Sequence, residues 1–306
     1  MRCPITYKES DNRYSTDGLK AINRNLKELH DLPYTKDELR FEAAARSEKM
    51  SIQGVQAKLS ARLNVKEGTF ELCDRGGQYI LKPQSVDYSE LPENEDLTMR
   101  LAKTYGLEVP LHFMIYGKDS ALTYVIKRFD RKGKNKKLSV EDFAQLSGAT
   151  RDTKYRSSME QVAKIIEKYC TFPQVEKEKL FRLTLFSFIT GNEDMHLKNF
   201  SLIYEEGKVL LSPVYDLLNT TIAIPNPIEE LALPLRAKKN KITKSDLIDY
   251  FAAERLGLND KVINKAVSQL KSASSEWEKL IKVSFLSGNM QDKYLKLLSE
   301  RRQRLF

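Results

Sequence analysis

The feature that most constrains the fold is a change of hydrophobic period along the chain. From residue 55 to residue 64 apolar and polar residues alternate, beginning Val55-Gln56-Ala57-Lys58. A period of two is typical of a strand with one buried face. The second half instead carries helical patterns, and residues 174–190 are apolar nearly all round after the first turn. Strands followed by helices predict an α+β fold with a β-rich first lobe and a mostly helical second lobe.

Glycine turns divide the first lobe into a strand meander that ends in a lysine. The turns are Glu67-Gly68 and Arg75-Gly76-Gly77, and the lysine is Lys82. The predicted elements are strands at about 55–63, 69–73 and 79–82, a helix from Pro92 to Gly106, and strands at about 112–116 and 122–126. The basic segment 131–137 follows, and we predict the lobe boundary there, giving domains 1–130 and 131–306.

Composition narrows the class of protein. The net charge of +9 suits contact with phosphate groups of a nucleotide, a nucleic acid or an acidic partner. Three dispersed cysteines form neither a disulfide framework nor a CxxC metal site, which indicates a reducing compartment. The chain has no apolar run of about 20 residues and no apolar core of a secretory signal at its start. We therefore expect a cytoplasmic protein without a membrane partner.

Three polar residues of the second lobe carry the predicted chemistry. Asp194 is followed by Asn199 five residues later, and Asp216 comes after a predicted hairpin at about 200–211. In phosphoryl transfer an Asp orients and deprotonates the attacking hydroxyl, while an Asn and a second Asp bind magnesium on the phosphates of ATP. Each Asp alone would be interpreted as a turn residue or helix cap. Their joint spacing favours a catalytic base with a Mg²⁺ site.

The first lobe supplies the expected phosphate contacts. Lys82 would contact ATP phosphates and be positioned by Glu95, or by Glu93 if that carboxylate takes its place. The alternative is a solvent-facing lysine in a surface ion pair. Gly54, Val55 and Gln56 would present backbone N–H groups to phosphate, although this loop has one glycine and matches neither GxxxxGK[ST] nor GxGxxG.

His196 lies two residues after the predicted base. It is a candidate for phosphate contact or for holding the loop, and the alternative is a buried structural histidine. Magnesium prefers oxygen ligands, which argues against His196 as a metal ligand. A zinc site is disfavoured because His30 and His112 have no ligand spacing to it.

Taken together, these segments resemble the HipA family of bacterial serine/threonine kinase toxins, from about residue 45 to residue 306. The matching segments are 51–58 (SIQGVQAK), 79–83 (YILKP), Asn94-Glu95, 125–131 (VIKRFDR), Glu141-Asp142-Phe143, 191–201 (GNEDMHLKNFS) and 215–217 (YDL). The resemblance implies a bilobal protein-kinase-like fold. It assigns Asp194 as base, Asn199 and Asp216 to Mg²⁺, Lys82 to ATP, and Lys127 and Phe129 to a hinge that meets adenine.

The resemblance also implies regulation and partners. Ser51, in the phosphate loop, would be autophosphorylated, and about two added negative charges would repel ATP phosphates and favour an ejected loop. The short segment before Ser51 resembles the short HipT type, whose partners are a small HipS-like antitoxin and a HipB-like DNA-binding protein. Relatives phosphorylate aminoacyl-tRNA synthetases, so the expected substrate is a protein of that class. Lys127 departs from the Glu found in many relatives.

Two other functions stay open. A small-molecule phosphotransferase would need an acidic pocket, for which Glu229-Glu230 is the candidate. An inactive kinase-like scaffold or nucleic-acid-binding protein would use the cations of segment 236–241, RAKKNK. The intact set of Lys82, Asp194, Asn199 and Asp216 argues against an inactive relative, and direct DNA contact is disfavoured.

Overall fold

The computed structural model describes residues 1–47, 57–133, 136–150 and 153–306. Ser51, Gly54, Val55 and Gln56 of the predicted phosphate loop lie outside the described residues. The chain forms two compact units. The first unit contains Met1–Leu97, Pro110–Asn135 and Val283–Leu286. The second contains Thr98–Val109, Lys136–Lys282 and Ser287–Phe306.

An antiparallel sheet of five strands forms the centre of the first unit. Its order is β2-β1-β3-β5-β4. The strands are β1 Leu59–Asn64, β2 Thr69–Leu72, β3 Tyr79–Lys82, β4 His112–Tyr116 and β5 Leu122–Lys127. All five predicted strands are confirmed, with β3 and β4 at the predicted bounds. The register pairs Lys82 with Tyr124, so the lysine lies on an inner strand of the sheet.

The first 47 residues cover this sheet. Helices α1 (Thr16–Ile22) and α2 (Lys36–Ser47) belong to this segment. Their apolar side chains join the sheet in one buried cluster, which includes Cys3, Leu19, Leu39, Leu81 and Phe113. The start of the chain therefore packs onto the β-rich unit.

Helix α3 (Leu91–Thr104) follows the meander. Asn94, Glu95 and Asp96 are fully buried in its first half. The helix ends before Gly106, whose φ of 85° is the left-handed conformation that glycine adopts without a steric penalty. The predicted helix and its glycine stop are confirmed. Leu97 is the last residue of the first unit in this helix, and Thr98 begins the second.

The second unit is mostly helical. Its helices are α4 Phe143–Leu146, α5 Met159–Tyr169, α6 Pro173–Thr190, α7 Thr220–Ala223, α8 Asp260–Lys282 and α9 Gly288–Leu305, with a π-helical segment at Asp246–Arg255. Helix α6 is buried on nearly every side, including Leu180, Phe181, Phe186 and Ile189. The prediction of a core helix is confirmed.

A small antiparallel sheet accompanies these helices. The two-residue strands β6 (Arg131–Lys132) and β7 (Lys136–Lys137) precede β8 (Ser139–Asp142). Strands β9 (Ser201–Glu205) and β10 (Lys208–Leu211) form the predicted hairpin, and β8 pairs with β9 as a third strand that the sequence did not predict. Across the described ranges, no helix combines the length and apolarity that crossing a bilayer requires.

Candidate active site

The core helix α6 delivers the chain to the predicted base. Gly191 caps the helix with φ 67°. A side chain there would collide with Leu297 and Thr221, so the close packing and the backbone angle both require glycine. The loop then continues through Asp194 to a 3-10 turn at Leu197–Asn199, directly before β9. We call residues 191–199 the base loop.

Asp194 is held within the base loop at three points. Its N–H donates to Asn192 Oδ1 at 3.1 Å. Its carbonyl accepts from Asn199 Nδ2 at 2.7 Å. Its carboxylate Oδ1 accepts from the Tyr155 hydroxyl at 2.5 Å. The side chain is still 43% exposed, so the carboxylate is both fixed and accessible.

The segment that carries Asp216 lies beside the one that carries Asn199. The Tyr215 hydroxyl donates to the carbonyl of Lys198 at 2.9 Å and lies 2.5 Å from Ser201 Oγ. Asp216 itself has φ 53°, a left-handed conformation that Asp tolerates better than most residues. Such backbone angles persist where surrounding contacts enforce them, often at functional sites. The structure therefore brings the two predicted magnesium ligands onto adjoining segments.

The donor set fits a magnesium ion. Asn199 uses its amide nitrogen on the Asp194 carbonyl, which turns its amide oxygen away from that bond. An amide oxygen and the Asp216 carboxylate are the hard ligands that Mg²⁺ prefers. Within the described residues, no three His, Cys, Asp or Glu side chains cluster as a metal site. A Mg²⁺ ion held partly by phosphate oxygens needs only one or two protein ligands.

His196 is buried in the base loop. Its Nε2 lies 2.7 Å from Lys154 Nζ and 3.7 Å from Asp194 Oδ1. Burial lowers its pKa, partly offset by the charge of Asp194, so the neutral form is favoured and can accept from the lysine ammonium. Asp216 also acts on this pKa, raising it, which places that carboxylate within electrostatic reach. These contacts favour holding the loop over binding a metal.

Lys154 and Tyr155 were not predicted as site residues. Their segment contacts the base loop through Leu197, whose N–H donates to the Lys154 carbonyl at 3.3 Å. The Tyr155 ring stands edge-on to His196, with 5.0 Å between centroids. Both residues are about 40 positions before Asp194 in a polar stretch with no periodic pattern, so nothing local in the sequence indicated this contact.

The first unit holds the predicted ATP-contacting lysine in a buried ion pair. Lys82 Nζ lies 2.5 Å from Glu95 Oε1, and the two side chains are 2% and 0% exposed. Glu93 is bonded instead by Gln84 Nε2, at 2.7 and 2.9 Å. Glu95 is therefore the partner of Lys82, and the interpretation of Lys82 as a surface lysine is wrong.

The predicted hinge lies at the end of β5, where Lys127 is the last residue of the strand. The Lys127 N–H donates to the Leu111 carbonyl at 2.8 Å, and the Arg128 N–H donates to the Gln78 carbonyl at 2.8 Å. These two amides are therefore engaged within the first unit. Phe129 follows them directly in the chain.

Both alternative functions lose support from charge pairing. Glu230 accepts from Arg304 and lies 2.9 Å from Arg301, while Glu229 pairs with Lys239 at 3.0 Å. In the predicted nucleic-acid segment, Arg236 and Lys238 both pair with Asp246. The acidic pair is neutralised, and most of the cations are already engaged by carboxylates.

The first unit has an antiparallel sheet with a buried Lys–Glu pair, and the second is a helical unit that carries Asp194, Asn199 and Asp216 in its loops. These are features that kinases use for phosphoryl transfer. Comparison with known proteins identifies the family. Residues 50–277 match the family model described as HipA-like C-terminal domain. The chain belongs to the HipA-like family.

Relatives of this chain carry kinase names. A Haemophilus influenzae protein named "Putative kinase" is 29% identical over 97% of this chain and 94% of its own length. The Shewanella oneidensis serine/threonine-protein kinase toxin HipA is 30% identical over 56% of this chain. This second match spans 43% of the toxin. The chain thus has relatives among kinases and kinase toxins.

Two solved structures share the fold. The Shewanella HipA in a complex with HipB and its operator DNA has a TM-score of 0.68 at 24% identity, covering 92% of this chain and 73% of the HipA chain. The Helicobacter pylori proinflammatory kinase CtkA has a TM-score of 0.54 at 16% identity, covering 74% of this chain and 86% of that kinase. The predicted α+β, kinase-like and HipA-like fold is confirmed.

Proposed function

We propose that this protein is an ATP- and Mg²⁺-dependent protein serine/threonine kinase that acts as the toxin of a toxin–antitoxin system. One observation carries the proposal. The bond from Asn199 to the Asp194 carbonyl joins one predicted metal ligand to the predicted base, and the bond from Tyr215 to the Lys198 carbonyl joins the chain neighbours of Asp216 and Asn199. The family relatives named as kinases support the same reaction class.

Each residue has a distinct role in this proposal. Asp194 accepts the proton of the acceptor hydroxyl, which makes the hydroxyl oxygen a better nucleophile. Asn199 and Asp216 hold Mg²⁺ through oxygen atoms, and Lys82 contacts ATP phosphates with its ammonium group fixed by Glu95. His196 holds the base loop rather than reacting. Bound Mg²⁺–ATP supplies the transferable phosphoryl group and the cation that neutralises phosphate charge.

The nucleotide and regulatory roles complete the proposal. Lys127 and Phe129 meet adenine through backbone groups other than the engaged Lys127 amide. Gly54, Val55 and Gln56 contact phosphate, and Ser51 is the autophosphorylation site. Phosphate on Ser51 would repel bound nucleotide through its negative charge.

The substrate and partners follow from the family alone. We propose a protein substrate of the aminoacyl-tRNA synthetase class. We also propose a HipB-like DNA-binding partner, supported by the Shewanella relative that was solved with HipB and operator DNA. A small HipS-like antitoxin is a second proposed partner. The two alternative functions gain no support from the paired charges of segments 229–230 and 236–241.

Phosphoryl transfer is the property to test first. Purified protein is incubated with magnesium and labelled ATP, alone and with a panel of aminoacyl-tRNA synthetases, and phosphate is mapped by mass spectrometry. We expect phosphate on Ser51 or on a synthetase with the wild type and none with Asp194→Asn. A matched control is Asp31→Asn, because Asp31 is 31% exposed and also accepts from a tyrosine, Tyr14, at 2.6 Å. Equal incorporation by wild type and Asp194→Asn would overturn the mechanism.

A further inference from the structure

Tyr155 contacts the proposed base but has no role in the function described above. Its hydroxyl lies 2.5 Å from Asp194 Oδ1 and is the donor in that hydrogen bond. We propose that Tyr155 is a positioning residue that sets the orientation of the Asp194 carboxylate for proton abstraction. The inference rests on the proposed function, because it assigns Tyr155 to the same reaction.

The physical need for such a residue comes from the aspartate side chain itself. The torsion that turns a carboxylate about its Cβ–Cγ bond is broad, with no sharp staggered minima. The backbone bonds of Asp194 to Asn192 and Asn199 fix its main chain but not this torsion. The Tyr155 bond to Oδ1 fixes the torsion, and it leaves Oδ2 as the oxygen to accept the proton from the acceptor hydroxyl.

Tyr155 is itself held against the base loop. The Lys154 carbonyl accepts from the Leu197 N–H, and Lys154 Nζ lies 2.7 Å from His196 Nε2. The Tyr155 ring packs edge-on against His196, with an interplanar angle of 82°. Because these contacts attach the segment to the base loop just after Asp194, the hydroxyl is held in place relative to the carboxylate.

Tyr155 keeps its proton in this arrangement. Partial burial and then the charge of Asp194 raise the pKa of its phenol, although the residue is 40% exposed. The phenol therefore donates to Oδ1 throughout, and the proton of the acceptor hydroxyl passes to Oδ2 of Asp194. Tyr155 is neither the base nor the acceptor in this scheme.

A blocking role for Tyr155 would predict the opposite change in the rate of phosphoryl transfer. If the Tyr155 hydroxyl occupied the place of the acceptor hydroxyl, it would block the base, and its removal would raise the rate. The positioning role predicts a lower rate on removal. Tyr155→Phe separates the two because it deletes only the hydroxyl and keeps the ring that packs on His196.

The test measures steady-state phosphoryl transfer by Tyr155→Phe. We expect kcat to fall between about 10- and 100-fold, the range that a hydrogen bond to a charged group provides, with KM for ATP unchanged. Tyr204→Phe is the matched control, since the hydroxyl of Tyr204 on β9 also donates to a carboxylate, that of Glu141 on β8, at 2.5 Å. We expect Tyr204→Phe to retain wild-type kcat. A rise in kcat, or no change, in Tyr155→Phe would overturn the positioning role.

Double variants distinguish this inference from the proposed function. The wild type, Tyr155→Phe, Asp194→Ala and the double variant form a mutant cycle, because Asp194→Ala removes the oxygen that accepts from Tyr155. The free energy of unfolding of each of these four proteins is measured in urea. If Tyr155 and Asp194 are directly bonded, we expect the effects of the two substitutions to be non-additive in the double variant. Additive effects would overturn the positioning role. An active wild type whose Tyr155→Phe variant is also fully active contradicts the positioning role alone. A wild type that transfers no phosphate to any substrate contradicts both.

Discussion

The two charged clusters of this protein are built in opposite ways. In the first unit, Lys82 and Glu95 are 2% and 0% exposed and neutralise each other across 2.5 Å. In the second unit, Asp194 is 43% exposed and is bonded by neutral groups: a tyrosine hydroxyl, an asparagine oxygen and an asparagine amide. The first cluster removes charge from water, whereas the second keeps the Asp194 carboxylate accessible.

We expect this difference to separate effects on stability from effects on the proposed phosphoryl transfer. Burying an ion pair incurs a desolvation penalty that its attraction offsets only with good geometry, so the pair contributes little net stability while either charge alone is strongly destabilising. A hydrogen bond contributes about 1 kcal/mol, or about 1.5–3 kcal/mol where one partner is charged, so we expect substitutions that remove one side-chain hydrogen bond of the base loop to leave the protein folded. Variants of the buried pair should therefore lower the free energy of unfolding, and variants of the base loop should lower the rate of phosphoryl transfer.

The largest effect is expected for Glu95→Gln. This variant leaves the Lys82 ammonium buried without the Glu95 carboxylate, and removal of one partner of a buried pair costs about 3–5 kcal/mol. Urea unfolding of the purified variant measures the loss. Lys82→Met combined with Glu95→Leu should regain much of that stability while lacking phosphoryl transfer. A Glu95→Gln midpoint equal to that of the wild type would remove the distinction between the two clusters.

Asp216→Asn should leave stability unchanged and lower the rate. A metal ligand stabilises transition-state charge by several kcal/mol, so we expect at least about a 10²-fold loss of phosphoryl transfer. Asn tolerates the left-handed backbone angle of 53° at this position, which keeps the loop folded. Initial rates at several Mg²⁺ concentrations check this. Wild-type rates at every concentration would argue against Asp216 as a magnesium ligand.

Glu93 gives the first unit a pH dependence of its own. Burial raises its pKa to about 7 from 4.5, so the folded protein binds this proton more tightly than the unfolded chain. Stability from this group is therefore present near pH 4.5 and is lost as the pH rises through about 7. The loss is at most roughly 3.5 kcal/mol, since each unit of pKa difference corresponds to about 1.4 kcal/mol.

The measurement is urea unfolding of wild type and Glu93→Gln across about pH 4.5–8, which spans both pKa values of this carboxyl. The amide of the variant cannot ionise, so subtracting the two curves isolates the contribution of the Glu93 carboxyl. We expect the wild type to lose stability relative to Glu93→Gln as the pH rises. Parallel curves would mean that Glu93 titrates normally in the folded protein.

The features predicted from sequence were those with a local cause. Strands β3 and β4 were predicted at their observed bounds because turns and alternation mark them within a few residues. Helix α6 was predicted because its apolar residues fill one continuous segment. Spacing alone left Glu93 and Glu95 as alternatives, because they lie close together on one helix turn. The tertiary structure decides between them, because Lys82 pairs with Glu95 while Gln84 bonds to Glu93.

Features made by distant segments were missed. Strand β8 exists because β9 pairs with it, and Tyr155 reaches Asp194 from 39 positions away. No periodicity or turn signal records such contacts. The roles of Asp194, Asn199, Asp216 and Lys82 stay predictions, as do those of Ser51 and Gly54, Val55 and Gln56 outside the described ranges.

The smallest effect is expected for Tyr215→Phe, which tests how the base loop is held. The Tyr215 hydroxyl bridges the Lys198 carbonyl and Ser201 Oγ, and it connects the segment of Asp216 to that of Asn199. Removing it should cost about 1 kcal/mol of unfolding free energy and no more than about tenfold in rate. Ser201→Ala is the control, because it keeps the bond to Lys198. If Tyr215→Phe lowered the rate as much as Asp216→Asn, the hydroxyl would be essential for the metal ligands, and the base loop would be as intolerant of single changes as the buried pair.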